Sequence, residues 1–152
     1  LEPGRFLVAQ CGTFLVRVVE TKSAGGVDFA IVDGGIHHLL RPALIGQPHP
    51  IRRAGDRHAA ASPGRAWRVA GPLCTSLDGF GDHELGDLRP GDALSIGLAG
   101  AYGFTESMPM FLSHPVPAEV MLLDGAAHLV RPRRDASWHL EGQAIPESLR
   151  AG

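Results

Sequence analysis

Apolar residues along this chain recur mostly in short runs with a period of two. In "TFLVRVVE" (13–20), Phe14, Val16 and Val18 alternate with Leu15, Arg17 and Val19, the repeat of a half-buried strand. The run begins earlier, at Phe6, and Gly12 interrupts it as a bulge or kink would, so strand is expected over 6–20. "SAGG" (23–26) reads as a turn and "VDFAIVDGG" (27–35) as the next strand. "IHHLLRPALIGQPHP" (36–50) is broken by Pro42, Gly46, Pro48 and Pro50, which leaves a structured loop or a single helical turn. "IRRAGDRHAAASPGR" (51–65) is small and polar, a flexible excursion, and "AWRVAGPLC" (66–74) is a strand running into a loop. In "GDALSIGLAGAYG" (91–103), Leu94, Ile96 and Leu98 share one face and small residues the other. "AEVMLLDGAAHLVRP" (118–132) folds back on Asp124-Gly125, a strong hairpin signal. Five to seven short strands, with no long amphipathic helix, predict an all-β barrel or sandwich. Residues 1–132 are expected to form it and 133–152 a peripheral tail.

Composition narrows the partners. The chain has 152 residues, 44% hydrophobic and 20% charged, with a formal net charge of −2. That size suits one domain, and the charge gives no electrostatic case for nucleic acid or a membrane surface. No apolar run approaches the ~20 residues that span a bilayer. Two cysteines make no disulfide framework, so a reducing, cytoplasmic setting is expected. Lysine occurs once, as Lys22; the other thirteen basic residues are arginine. Lys22 reads as a turn residue, a poor place for a Schiff-base lysine, which needs a desolvated or cation-flanked pocket.

The candidate chemistry is sparse. Eight histidines include no HxxxH or HxH pair, and "HH" (37–38) and "DHE" (82–84) lack the spacing of a zinc site, so no metal is expected. Cys11 lies in a strand pattern and reads as buried filler. Cys74 stands in a loop framed by Gly, Pro, Ser and Asp, "GPLCTSLDGFGD". There a thiol could be a nucleophile, a proton donor, a ligand, half of a disulfide or a structural filler. Glu2 and Arg5 could be solvated terminal charges, and Tyr102, framed by glycines, a ligand contact or a barrel cap.

Four segments in order change these odds: "EPGR" (2–5), "VDGGIHHLLRPAL" (32–44), "GPLCTSLD" (71–78) and "GAYG" (100–103). Together they resemble the C-terminal domain of the pyridoxal-phosphate decarboxylases that include ornithine and diaminopimelate decarboxylases. "FLSHPVPAEV" (111–120) further resembles the branch associated with exopolysaccharide and exosortase gene clusters, and "GIHHLL" that of decarboxylases of carrier-protein-linked amino acids. The resemblance implies the mainly β barrel or sandwich found in the C-terminal domain of alanine racemase and the group IV decarboxylases. It implies pyridoxal 5'-phosphate as cofactor and a homodimer. Glu2 matches a glutamate that keeps the pyridine nitrogen protonated, and so keeps the ring an electron sink. Gly4 and Arg5 match a phosphate-contacting segment, where charge-assisted bonds suit phosphate oxygens. Tyr102 matches a tyrosine bonded to the same phosphate. Cys74 matches a cysteine that crosses the dimer interface and returns a proton after CO2 departs. Arg41 matches an arginine that holds a substrate carboxylate.

The departures bear on substrate. Thr75 stands where related enzymes carry a glutamate or aspartate for a distal amine, and Ile45 where a tyrosine is expected. Neither diaminopimelate nor ornithine is therefore expected; a neutral, acidic or carrier-tethered distal end is. The resemblance also places the cofactor lysine on an N-terminal barrel, and Lys22 matches no family lysine. It implies a C-terminal piece of a longer enzyme, inactive and without cofactor by itself. A racemase-like reaction on the same scaffold, or a non-catalytic binding module, are the rival expectations.

Overall fold

A computed structural model describes residues 3–55 and 64–150. They form two compact units, divided between Met108 and Pro109. The first is built on one six-stranded sheet. Its strands are β1 (Phe14–Ala24), β2 (Val27–Val32), β3 (Ile51–Arg53), β4 (Ala66–Ala70), β5 (Gly79–Glu84) and β6 (Ala93–Ile96), in the spatial order β3-β6-β1-β2-β4-β5. Every pairing is antiparallel except β2 with β4. A parallel pair needs a crossover of a dozen or more residues, and residues 33–65 supply it. The sheet curls into a nearly closed, barrel-like form, the expected mainly β fold.

The period-two pattern decides which face is inside. Val16 and Val18 of β1, Ala30 and Val32 of β2, Val69 of β4, and Leu94 and Ile96 of β6 are buried together with Trp67, Phe80 and Leu39. Their alternates Leu15 and Val19 are exposed. Trp67 is fully buried because its indole N–H donates to the Gly86 carbonyl at 2.6 Å, which meets the polar cost of burying it. The β1–β2 turn is Gly25-Gly26, both at positive φ (59° and 78°), as a two-residue hairpin of this twist requires.

Five expectations need correction. Residues 6–11 are not strand: α1 (Gly4–Val8) and a 3-10 turn (Ala9–Cys11) precede β1. The Leu7 N–H donates to the Pro3 carbonyl at 3.1 Å. Gly12 then passes against the backbone of residues 99–100, where a Cβ would lie 2.2 Å from the Gly100 nitrogen. That crossing, and not a bulge, explains the glycine. Cys11 is exposed, with its thiol donating to the Val8 carbonyl at 2.9 Å, so it is no core filler. Lys22 is a strand residue, paired with Phe29 across β1–β2, because the turn proper is only Gly25-Gly26. Finally, Ile51–Arg53 is an edge strand, not part of the excursion; the rest of that stretch, residues 56–63, lies outside the described residues.

The second unit contains the hairpin of β7 (Glu119–Leu123) and β8 (Ala126–Arg131), turning at Asp124-Gly125 as expected. A bridge from Val116 to Arg134 and an ion pair from Arg131 to Glu119 at 3.3 Å fasten its open end.

Candidate functional site

In the first unit, the segments carrying Arg5, Arg41 and Tyr102 come together. Backbone bonds stitch the 3-10 turn after α1 to the segment after β6: Gly100 N–H to the Ala9 carbonyl and Ala99 N–H to the Gly12 carbonyl, both 3.0 Å. Gly100 is required there, since a Cβ on it would sit 2.0 Å from the Val8 carbonyl oxygen. Arg5, on α1, is thereby brought near the "GAYG" turn. It also donates through both Nη atoms to the Gln47 side-chain oxygen at 3.3 and 3.2 Å. Gln47 follows α2 (Arg41–Ile45), so Arg5 and Arg41 flank the same short helix. Arg41 lays its guanidinium over the Tyr102 ring, 4.4 Å from the centroid. Tyr102 is half exposed and holds φ +53°, a backbone conformation that non-glycine residues adopt at a cost. The structure thus brings Arg41 and Tyr102 into contact and ties Arg5 to Gln47, just beyond the helix that Arg41 begins. Gly4 begins α1. Glu2 lies outside the described residues.

His49 completes this corner. It is buried, its Nδ1 within 3.0 Å of the Gly97 carbonyl. Burial lowers its pKa from the ordinary 6.5; the Gly97 contact opposes this, and the nearby Arg5 and Arg41 charges add to it. The unfolded chain takes up this proton as pH falls below 6.5 and the folded chain does not. Stability from His49 is therefore complete above pH 6.5 and is lost as pH falls toward the depressed folded value. The unfolding midpoint is expected to drop on acidification from pH 7 to 5.5, and His49→Gln to flatten that slope. An equal slope in the variant would assign the effect to other groups.

Cys74 sits apart on its own loop. Its thiol is exposed, while the preceding Leu73 is buried. The loop is organised by Asp78, a residue only 4% exposed. One oxygen accepts the Ile36 N–H at 2.8 Å and the other the Leu73 N–H at 2.7 Å. Asp78 also closes the loop through its backbone, donating to the Thr75 carbonyl at 3.1 Å and accepting from Gly71 at 3.0 Å. Gly35 and Gly71 pack so closely on the carboxylate that a Cβ on either would come within 2.1 or 2.2 Å of its oxygens. Thr75 uses its hydroxyl within the same turn, accepting the Leu77 N–H at 3.3 Å. Among the described residues, no hydrogen bond or ring contact joins Cys74 to Arg5, Arg41 or Tyr102. The link is the backbone of 35–41: Ile36 bonds Asp78, while the Leu40 N–H donates to the Ser107 hydroxyl at 3.0 Å.

Two polar residues, one in the Cys74 loop and one beside Arg41, escaped the sequence reading. Asp78 looks like an ordinary turn residue. Glu106 pairs with Arg41, Oε1 to Nη1 at 2.9 Å. A signal for Glu106 was there: it is the one Asp, Glu, Lys or Arg between Asp92 and Glu119. Among the described residues no group of three or more His, Cys, Asp or Glu gathers as a metal site would. No helix there is long and apolar enough to cross a membrane.

A barrel-like sheet carrying an arginine-tyrosine corner and an outward cysteine defines the class. The chain belongs to the pyridoxal-dependent decarboxylases, as their C-terminal sheet domain, matched over residues 6–100. It is 40% identical over 150 residues to diaminopimelate decarboxylase of Methanothermobacter thermautotrophicus, covering 98% of this chain and 34% of that protein. It is 34% identical over 158 residues to the L-glutamyl-[BtrI acyl-carrier protein] decarboxylase of Niallia circulans, covering 97% and 36%. A crystal structure of diaminopimelate decarboxylase from M. jannaschii in complex with L-lysine superposes with a TM-score of 0.86 at 28% identity, over 96% of this chain and 33% of that one. The chain spans about a third of the length of the curated relatives it matches.

Proposed function

We propose that this chain serves as the sheet domain of a longer, homodimeric, cytoplasmic decarboxylase of amino acids. The observation that carries the reading is the Arg41–Tyr102 contact beside Arg5. The Arg5 guanidinium and the half-exposed Tyr102 phenol suit an anionic, phosphorylated ligand, so the residues fit pyridoxal 5'-phosphate. When bound, that cofactor accepts the electron pair left as CO2 departs. Arg5 and Tyr102 then hold the phosphate, Glu2 the ring nitrogen and Arg41 the substrate. Cys74, presented on its rigid loop, donates the proton that replaces CO2 in the partner subunit's site. Thr75 lines that site without an anionic charge, which favours a substrate lacking a distal ammonium, free or carrier-linked.

The lysine supports the same arrangement. Lys22 is exposed on β1, eight residues beyond Phe14, roughly 25 Å along a strand rising ~3.3 Å per residue. The Arg5–Tyr102 corner adjoins the Phe14 end, so the lysine that holds the cofactor must come from elsewhere in the longer protein. Titration with pyridoxal phosphate should therefore produce the visible band of lysine-bound cofactor in the complete protein and none in residues 1–152. A band in the shorter chain would make Lys22 the cofactor lysine. A band in neither would leave a binding module.

Tyr102→Phe in the complete protein removes one bond to a charged group. It is expected to weaken cofactor retention by about 1.5–3 kcal/mol, read as a raised cofactor Kd. An unaltered Kd would remove Tyr102 from the phosphate site.

A further inference from the structure

Arg41 already has a carboxylate partner within its own chain. The pair with Glu106 is partly enclosed, with side chains 21% and 23% exposed, and it makes a single contact. The Arg41 Nε and the Glu106 Oε2 are buried and have no partner among the described residues. Local structure holds the two face to face. Glu106 ends a 3-10 turn (Phe104–Glu106). The next residue, Ser107, donates its hydroxyl to the Gly103 carbonyl at 2.8 Å and accepts the N–H of Leu40 at 3.0 Å. One hydroxyl thus ties the residue after Glu106 to the residue before Arg41, and Tyr102 closes the far side of the guanidinium.

This changes what Arg41 can recognise. Alone, Arg41 would be a receptor for a distal carboxylate. With Glu106 beside it, an incoming carboxylate must take Arg41 from its partner and leave two anions close together in a partly enclosed place. A distal ammonium would meet Arg41 and find Thr75 where an acidic partner would be needed. We infer that Glu106 is a specificity-determining residue: it cancels the charge of Arg41 and restricts the reaction to amino acids whose distal end is uncharged, an amide, ester or thioester. The inference rests on the decarboxylase reading above, in which Arg41 faces the substrate.

The test is CO2 release by the complete, cofactor-loaded protein from four probes: L-glutamate, L-ornithine, L-glutamine and the γ-thioester of L-glutamate with N-acetylcysteamine. The wild type is expected to favour one of the two neutral probes over both charged ones in kcat/KM. Glu106→Gln, which keeps the side chain's shape, is expected to raise kcat/KM for L-glutamate by about tenfold or more by removing a like charge. The neutral probes should change by less than about threefold, because a merely structural loss would lower all probes together. Wild-type preference for glutamate or ornithine would overturn the inference even if the variant does not fold, and so would an unmoved ratio in a folded variant. Either result leaves the decarboxylase reading in place. Release of CO2 from none of the four by folded, cofactor-loaded protein would overturn that reading and the inference with it.

Discussion

Cys74→Ala in the complete protein is expected to lower turnover by about 10²–10⁴-fold, the usual worth of one positioned general acid, with the cofactor's visible absorbance unchanged. The exposed thiol lies between a buried residue, Leu73, and a turn closed by Asp78 and Thr75. Its position is therefore set by backbone bonds and not by contacts of its own. Removing the sulfur should leave the loop intact and delete only the donor. A fixed donor also delivers from one face. In D2O the wild type should place deuterium at the reacting carbon with a single configuration. The variant, protonated by solvent, should give a mixture at a reduced rate. Equal turnover together with unchanged configuration would remove Cys74 from proton delivery.

The elements with clean period-two alternation were legible from sequence. β2 and β6 lie within the segments the pattern marked, and β1 does so from Phe14 onward, because each buries one face; the β7–β8 hairpin turns at Asp-Gly as marked, although its side chains are largely exposed. The failures have local causes. Phe6, Leu7 and Val8 have strand-like composition, yet they are helical and largely exposed. Their conformation is set by the bond back to Pro3 and by the crossing of Gly12 against Gly100, a contact that no local pattern shows. β5 was hidden by its glycines, since "GFGDHE" offers one core residue, Phe80, to mark it. The site was legible only in part. The motif residues could be placed in order by resemblance, but the Arg41–Glu106 pair spans 65 positions. No spacing rule connects them; only the solitary charge of Glu106 in an otherwise uncharged stretch hinted at a partner. Asp78 was invisible for the opposite reason, since aspartate is ordinary in a loop, and only its burial separates a hub from a turn.

Asp78→Ala is expected to destabilise the fold by about 3–5 kcal/mol, since two buried N–H groups each lose a charged acceptor at a cost of about 1–3 kcal/mol. That is a large share of the 5–15 kcal/mol typical of a folded domain. Asp78→Asn should recover little. The Ile36 and Leu73 N–H groups approach different oxygens; an amide offers one acceptor and turns its NH2 against the second donor. The glycines supply the sharper test. Gly35 and Gly71 have ordinary negative φ, so nothing in their backbone forbids a side chain, and the nearest obstacle to a Cβ on either is the Asp78 carboxylate. Gly71→Ala alone should therefore be costly, and much less so once Asp78 is alanine. In a double-mutant cycle read from urea midpoints, contacting residues couple by about 0.5–3 kcal/mol, and the pair should be milder than the sum of its parts. Strict additivity would mean that Gly71 is fixed by something other than this carboxylate. The Cys74 loop would then have a second anchor besides Asp78.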